Sequence, residues 1–234
     1  MAAIEEQYWD QRYIDDGTSG AGSIGDYRNF KWGIIDRYVP FLQSVVDVGC
    51  GDISFWERRD CIDYTGIDIS RTIIKRNRIL RPDWEFLQSN AETRIEKLSK
   101  STVFCFDMLF HIMNDKTYLK VLENLIAYSR NHIFIYTWIN NPFRKTRLLK
   151  RLFTAVIKFK PFRAIELMKK ILSKTPNTDG KYQSFRPLER HIWLFEEKGF
   201  QLVEIVRHPD NIGAMYVFAS MMDKGQLRTH LDNI

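Results

Sequence analysis

Short apolar runs recur along the chain and alternate with amphipathic stretches. Five runs rich in β-branched or aromatic residues predict buried strands at 44–48, 64–68, 84–87, 103–107 and 132–137. The stretches between them carry apolar residues at helical spacing and predict helices over 70–80, 92–99 and 115–129. Ser70 is a typical N-cap for the first helix. Strands that alternate with helices in this way indicate parallel βαβ units.

The end of the chain follows a different order. A helix is predicted from Pro187 to about Lys198, and Gly199 is a typical residue to end it. Two strand signals follow, at 200–206 and 213–219, and they are close enough to pair as an antiparallel hairpin. The sequence therefore predicts an α/β fold, a Rossmann-like, doubly wound and mostly parallel sheet with a terminal antiparallel strand.

The first strand ends in a turn that suits a ligand. Val45, Val46 and Val48 form a β-branched run, and Gly49 and Gly51 then let the backbone turn tightly and approach a bound molecule. Open α/β sheets bind ligands at the carboxyl ends of their strands. The turn by itself is compatible with a dinucleotide, a phosphate or another adenosine compound.

Two aspartates narrow this choice. Asp47 lies just before the turn, and Asp68 ends the second strand, where an acid accepts hydrogen bonds from ribose hydroxyls in dinucleotide folds. The segment Gly49–Ser54 lacks the third glycine of the dinucleotide motif, and Asp52 would present a negative charge to a pyrophosphate. These features favour a cationic adenosine compound. The structural alternative is that Asp47 caps a helix and the glycines only make a tight turn.

Three segments together carry a family resemblance. They are Val-Val-Asp-Val-Gly-Cys-Gly (45–51), Gly-Ile-Asp-Ile-Ser (66–70) and Phe-Asp-Met-Leu-Phe-His-Ile (106–112). In this order and spacing they resemble the class I S-adenosylmethionine-dependent methyltransferases, over residues 40–140. The resemblance implies the Rossmann-like fold and S-adenosylmethionine as the cofactor.

The resemblance also implies which residues hold the cofactor. The methionine portion would contact Asp47 and the loop formed by Gly49, Cys50 and Gly51. The ribose would contact Asp68, and the face of the adenine would contact Ile69. Asn90 and Ala91 would lie near the adenine amine, where family members often have an aspartate. The Asn90 side-chain oxygen can accept the same hydrogen bond. Asp107 would lie beside both the cofactor and the acceptor.

His111 is the candidate catalytic base, together with Asp107 at the same edge of the sheet. It follows Asp107 by four residues, and a hydroxyl acceptor gains from a base with a pKa near neutrality. In-line alignment of acceptor and methyl group supplies much of the remaining rate. The alternative is a structural histidine that only bonds to a backbone carbonyl.

The amino-terminal residues 1–40 predict a cap over the ligand edge. An aromatic helix carries Tyr8, Trp9 and Tyr13, and the glycine-rich segment 16–26 is either a lid or a linker. This segment resembles the leading part of methyltransferases associated with glycan and polysaccharide biosynthesis, which favours a sugar acceptor. The candidate acceptor-binding residues are Tyr27, Trp138, Tyr182 and Arg186, although Arg186 is equally suited to pairing with acids elsewhere.

Positive charge is concentrated in one segment. Between Arg144 and Lys174 the chain has eleven Lys or Arg residues and a single acid, Glu166, whereas the whole chain has a net charge of +6. Apolar residues at helical spacing accompany them and predict a basic helical insertion within 141–182. Its apolar face would pack on the domain, lie on an anionic membrane through 143–174, or flank an RNA contact.

We therefore expect one methyltransferase domain over 1–234 that O-methylates a sugar or a lipid-linked saccharide. An RNA or small-molecule methyltransferase and a non-catalytic S-adenosylmethionine-binding scaffold are the alternatives. RNA is disfavoured because residues 107–110 read Asp-Met-Leu-Phe and lack the Asn/Asp-Pro-Pro-Tyr type of tetrapeptide. The cysteine spacing gives no zinc pattern and no metal site is expected. A cytoplasmic protein, with possible contact to the inner membrane face, is expected because no secretory or membrane-spanning segment is evident. The oligomeric state stays open.

Overall fold

The computed structural model describes residues 2–143, 178 and 182–221. Its helices are α1 (Ala2–Ile14), α2 (Gly25–Tyr38), α3 (Arg71–Leu80), α4 (Asp115–Tyr128) and α5 (Ile192–Glu197). Its strands are β1 (Ser44–Val48), β2 (Asp63–Asp68), β3 (Glu85–Gln88), β4 (Lys100–Phe106), β5 (Ser129–Trp138), β6 (Phe200–Arg207) and β7 (Gly213–Ser220). The basic insertion predicted within 141–182 falls largely on residues outside these ranges.

The strands form one seven-stranded sheet in the order β3-β2-β1-β4-β5-β7-β6. The pairings β1–β2, β1–β4, β2–β3 and β4–β5 are parallel. The last strand of the chain, β7, lies between β5 and β6 and is antiparallel to both. The predicted Rossmann-like sheet with a terminal antiparallel strand is therefore confirmed.

Both faces of this sheet are covered, which explains why its central strands are almost wholly apolar. On one face, Val46 and Val48 pack with α4 residues such as Leu122. On the other face, Val45 packs with Trp32 and neighbouring residues of α2. Helices α2 and α4 are thus fixed against opposite faces of the sheet by apolar side chains.

The helix predicted over 92–99 does not form, and this segment runs as turns. Side chains on α4 and its end satisfy the backbone that a helix would have paired: Asn124 donates to the Ala91 carbonyl at 2.8 Å, and the Tyr128 hydroxyl accepts from the Ile95 N–H at 2.8 Å. Lys97 also has a left-handed φ of 64°. The periodicity of 92–99 reflected packing of single residues on the core, not a helix.

Helix α1 is fastened to the sheet by its polar side. One carboxylate oxygen of Asp10 accepts from the Ser70 hydroxyl at 2.6 Å and from the Thr72 N–H at 2.9 Å, at the beginning of α3. Ser70 is also the N-cap of α3, as predicted. This attachment places α1 across the carboxyl ends of β1 and β2. No helix within the described ranges is long and apolar enough to cross a membrane.

Candidate active site at the carboxyl edge of the sheet

A cavity of about 340 Å³ opens at the carboxyl ends of β1, β2 and β4. Its floor is built from the turn after β1, the end of β2 and the segment after β4. Helix α1 and the loop formed by residues 19–23 cover it. This is the place where open α/β sheets bind ligands, and the size is within the range of small-molecule sites.

The turn after β1 brings bare backbone to the cavity wall. Gly49 and Gly51 line the cavity and have left-handed φ angles of 77° and 54°. A Cβ on Gly49 would lie 2.8 Å from Cγ of Met108, and one on Gly51 would lie 2.0 Å from the hydroxyl oxygen of Ser19. Glycine is required at both positions because a side chain is excluded both by backbone conformation and by space.

Asp68 lines the cavity at the end of β2. Its carboxylate accepts from the Gly51 N–H at 3.0 Å and from the Ser70 N–H at 2.9 Å. Burial raises the pKa of this carboxyl to about 6, against the lowering effect of these hydrogen bonds. Two backbone donors orient the carboxylate, and its remaining lone pairs can accept hydrogen bonds from a ligand.

Asp47 and Cys50 do not line the cavity, which corrects the sequence-based expectation. The Asp47 carboxylate accepts from the Trp56 indole at 2.9 Å and from the Tyr64 hydroxyl at 3.0 Å, and the residue is only 5% exposed. Burial raises its pKa to about 6. The sulfur of Cys50 packs against Gly66, 2.9 Å from the position of a Cβ there. Both side chains support the turn from behind.

Asp107 lines the cavity directly after β4, and its partner is a buried lysine that the sequence analysis did not single out. The Asp107 carboxylate forms an ion pair with Lys31 of α2, which is 0% exposed. The Lys31 ammonium also donates to the Gly22 carbonyl at 2.8 Å and lies 4.3 Å from the centroid of the Tyr136 ring. Lys31 therefore joins the covering loop to the cavity wall.

One signal in the sequence pointed to Lys31. It lies in a helix whose buried residues are otherwise apolar, namely Trp32, Ile34 and Ile35. A lysine on the apolar face of a helix needs a carboxylate or carbonyl partner because its charge is costly to bury alone. The identity of that partner, 76 positions away, was not evident from the pattern.

His111 lies at the far end of the cavity within a set of aromatic rings. Its Nδ1 donates to the Tyr182 carbonyl at 3.1 Å, and its ring meets Trp9 edge to face at 4.9 Å between centroids. Tyr182 in turn stacks on Tyr8 at 4.8 Å. Because Nδ1 is the donor, the neutral ring carries its lone pair on Nε2, the nitrogen that can accept a proton.

Helix α1 presents one continuous stripe to the cavity. Glu5, Tyr8, Trp9 and Arg12 all line it, at the i, i+3, i+4 and i+7 spacing of a single helix face. Tyr8 and Trp9 were expected near the ligand as aromatic residues, whereas the sequence pattern did not identify Glu5 and Arg12. The stripe itself was the signal, since a face that mixes acid, aromatic and base suits a ligand better than an apolar core.

The ends of β2 and β3 contribute further residues to the same cavity. Ile69, which follows β2, and Asn90 and Ala91, which follow β3, line it at the positions that the resemblance implied. The side-chain oxygen of Asn90 already accepts from the Glu92 N–H at 3.1 Å. That hydrogen bond leaves the amide oxygen with one lone pair and the amide nitrogen with two donors.

Of the candidate acceptor-binding residues, Tyr182 lines the cavity, whereas Tyr27 and Trp138 do not. The Tyr27 hydroxyl donates to Asp210 at 2.8 Å, and its ring stacks on His208 at 4.2 Å. Trp138 stacks on Phe110 at 4.1 Å and so supports the cavity wall from outside. Each was expected at the cavity because it lies near the ligand edge in sequence, but packing directs its ring elsewhere.

Arg186 is also absent from the cavity lining and has the second of the two roles considered for it. Its guanidinium donates to Asp115 at 2.6 Å and to the carbonyls of Ile112 and Met113. These contacts hold the loop that leads from His111 into α4. Arg186 thus secures a segment next to the site without contacting the cavity.

Residues 46–127 match a family model described as a methyltransferase domain. This segment contains the glycine turn, Asp68, Asp107 and His111, the same residues that meet around the cavity. Over these residues the chain is similar to methyltransferase domains. No curated protein matches the sequence.

Solved structures with the same fold include three methyltransferases. Magnesium protoporphyrin IX methyltransferase (ChlM) from Synechocystis PCC 6803 has a TM-score of 0.63 at 12% identity, over 94% of this chain and 100% of that chain. The 1,6-didemethyltoxoflavin-N1-methyltransferase from Burkholderia thailandensis has a TM-score of 0.61 at 11% identity, over 94% and 88%. N-methyltransferase NodS from Bradyrhizobium japonicum WM9 has a TM-score of 0.59 at 11% identity, over 92% and 98%. At these identities the similarity shows the fold alone.

The loop that covers the cavity is fastened by a pair of reciprocal hydrogen bonds. The Ser19 N–H donates to the Asp52 carboxylate at 2.9 Å, and the Asp52 N–H donates to the Ser19 hydroxyl oxygen at 2.8 Å. Hydrogen bonds lower the pKa of Asp52 despite burial, so the carboxylate stays ionised. Asp52, which argued against a pyrophosphate, is thus the residue that holds the loop over the glycine turn.

Within the described ranges, no group of three or more His, Cys, Asp or Glu side chains is arranged to hold a metal ion. Cys50, Cys61 and Cys105 are buried free thiols. The polar side chains that line the cavity instead carry single carboxylates, one guanidinium, one imidazole, carboxamides and hydroxyls.

Proposed function

We propose that the cavity binds S-adenosylmethionine beneath α1 and that a hydroxyl group of a sugar or lipid-linked saccharide accepts the methyl group near His111. The observation that carries this proposal is a single cavity whose wall includes both Asp68 and His111. Donor and acceptor chemistry would then meet inside one covered space, from which water is excluded.

The residues present fit the cofactor. The left-handed glycines, Gly49 and Gly51, leave room where any Cβ would intrude, and the methionine portion would contact their backbone. The Asp68 carboxylate would accept from the ribose hydroxyls. Arg12 would pair with the methionine carboxylate, as the cationic member of the α1 stripe. When bound, S-adenosylmethionine supplies a methyl group that its sulfonium already activates.

His111 would act as the general base. Its Nδ1 hydrogen bond to the Tyr182 carbonyl fixes the ring and places the lone pair on Nε2. Nε2 would take the proton of the acceptor hydroxyl as the oxygen forms its bond to the methyl carbon. Asp107 is engaged with Lys31, so we assign it to shaping the wall between cofactor and acceptor, and not to proton transfer.

The aromatic end of the cavity is suited to binding a saccharide. Tyr8, Trp9 and Tyr182 surround His111, and aromatic faces combine apolar area with polar tips that suit a sugar ring. The resemblance of the amino-terminal segment to glycan-associated methyltransferases points the same way.

A small planar acceptor is the second candidate. The same rings would stack on a heteroaromatic ring, and two proteins of this fold are named for acting on a porphyrin and on 1,6-didemethyltoxoflavin. An RNA acceptor has less support, because residues 107–110 lack the tetrapeptide of many nucleobase methyltransferases.

Transfer of a labelled methyl group tests the reaction. Wild-type protein and labelled S-adenosylmethionine are incubated with cell-surface glycan extract, a lipid-linked saccharide fraction, a panel of heteroaromatic compounds and total RNA. Label in a saccharide supports the proposal, whereas label only in a heteroaromatic compound or RNA contradicts it. A protein that binds the cofactor and labels nothing is a scaffold.

His111→Gln separates catalysis from binding. We expect turnover to fall by about 10²–10⁴-fold, the range that general acid–base catalysis supplies, with cofactor affinity nearly unchanged. His191→Gln is the control, because His191 lies outside the cavity lining. Unchanged turnover in His111→Gln would remove this residue as the base.

A lipid-linked acceptor would bring the enzyme to the cytoplasmic face of a membrane. The basic segment between Arg144 and Lys174 supports this by its charge, since each Lys or Arg near an anionic surface contributes about 1 kcal/mol. Co-sedimentation with anionic and neutral liposomes measures it. Binding to anionic liposomes that weakens with salt is expected, and no binding at low salt would contradict the membrane contact.

A further inference from the structure

Helix α1 follows the length of the cavity, and its two ends lie against different parts of the wall. At one end, the Tyr13 hydroxyl is 3.1 Å from the position of a Cβ on Gly51, in the glycine turn. At the other end, Glu5 lines the cavity together with Asn90 and Ile112. The seven residue steps from Glu5 to Arg12 span about 10 Å at the helical rise of about 1.5 Å per residue.

Glu5 is a carboxylate directed into this end of the cavity and partly removed from water. Burial raises its pKa, the Met113 backbone N–H lowers it by hydrogen bonding, and Glu92 adds to the rise through its charge. A carboxylate brought close to a second acid and away from solvent costs stability unless it serves a partner. The neighbouring Glu6, by contrast, lies outside the cavity lining and accepts from Gln88 at 3.1 Å.

The wall at this end otherwise provides little to accept a hydrogen bond from an amine. One lone pair of the Asn90 oxygen is already taken by the Glu92 N–H, and Ala91 and Ile112 contribute no polar side-chain atom. An adenine edge presents a 6-amino donor beside the N1 acceptor. The Asn90 amide nitrogen suits N1, and the 6-amino group needs a further acceptor.

We propose that Glu5 accepts the hydrogen bond of the adenine 6-amino group and so determines the specificity of this domain for an adenosyl cofactor. The proposal rests on the proposed function, which places the cofactor in this cavity. Asp10 fixes the position of Glu5, because its hydrogen bonds to Ser70 and Thr72 hold α1 in place relative to the sheet.

Calorimetric titration with S-adenosylhomocysteine and S-inosylhomocysteine tests the assignment. The second ligand replaces the 6-amino group by a carbonyl oxygen, which would face the Glu5 carboxylate as acceptor against acceptor. It also carries a proton on N1, which would face the Asn90 amide nitrogen as donor against donor. Wild-type protein should bind S-adenosylhomocysteine at least about tenfold more tightly, in line with a hydrogen bond to a charged group.

Two variants and one control sharpen the comparison. Glu5→Ala should bind S-adenosylhomocysteine about tenfold more weakly than wild type and show a smaller preference for it, since the acceptor is lost while the Asn90 contact to N1 remains. Glu5→Gln should bind S-inosylhomocysteine better than wild type does, because its amide can donate to the 6-oxo group. Glu6→Ala, one residue away on another face of α1, should behave as wild type.

The outcomes separate the two proposals. If wild-type protein binds S-adenosylhomocysteine but Glu5→Ala keeps the full preference for it, Glu5 does not read the base, and the proposed function stands. If wild-type protein binds neither ligand, the proposed function and the role of Glu5 are both wrong.

Discussion

The buried Lys31–Asp107 pair makes an asymmetric prediction about stability. Removing one partner of a buried ion pair costs roughly 3–5 kcal/mol when the remaining charge is fully desolvated. The side chain of Lys31 is 1% exposed and that of Asp107 is 26% exposed. An unpaired Lys31 would therefore have no access to water, whereas an unpaired Asp107 would recover part of its hydration.

We expect Asp107→Asn to lower the free energy of unfolding by about 3 kcal/mol and Lys31→Met by about 1 kcal/mol. Asparagine tolerates the left-handed φ of 56° at position 107, so backbone strain does not contribute to the difference. Methionine fills much of the volume of the lysine stem. The double variant should lose less unfolding free energy than the sum of the two single losses, because it leaves no unpaired charge.

Urea unfolding followed by tryptophan fluorescence measures all four proteins, and Trp32, next to Lys31, reports on the region. Coincident circular-dichroism transitions would support two-state analysis. The reasoning is refuted if Lys31→Met costs as much as Asp107→Asn, or if the two losses simply add.

Three further changes test other parts of the account. Gly49→Ala should lower the free energy of unfolding, measured by thermal unfolding, by about 1–3 kcal/mol because of its left-handed φ and close neighbours. Gly33→Ala, at a helical position with open space around it, should raise the free energy of unfolding by up to about 1 kcal/mol. Burial raises the pKa of Asp47 to about 6, above its ordinary value. The free energy of unfolding should therefore fall as the pH rises from about 4 to about 6, and Asp47→Asn should make this dependence on pH weaker. Ser19→Ala should speed hydrogen exchange in loop 17–24 by removing one of the two hydrogen bonds to Asp52, with global stability nearly unchanged; unaltered exchange would contradict the fastening role.

The parallel sheet was predictable because its strands are short β-branched runs separated by helices of ordinary length. The glycine turn and Asp68 were equally accessible, since backbone conformation and position at a strand end follow from local sequence. The positions of Gly49, Gly51 and Asp68 around one cavity therefore agree with what the sequence indicated.

The expectations that the structure does not bear out depended on contacts between residues far apart in the sequence. The direction of the Asp47 side chain follows from Trp56 and Tyr64, which donate to it from other parts of the chain. Arg186 bonds across 71 positions to Asp115. The turns at 92–99 depend on side chains of α4, so helical periodicity was misleading there.

Titration of S-adenosylhomocysteine into wild-type protein and Asp68→Asn tests the central claim most directly, with Asp26→Asn, on the exposed start of α2, as the control. The account predicts binding to wild type, a loss of at least about tenfold in affinity for Asp68→Asn from the weakened charged hydrogen bonds, and no change for Asp26→Asn. Equal affinity in all three proteins, or no binding to wild type, would contradict the placement of the cofactor at the carboxyl edge of the sheet.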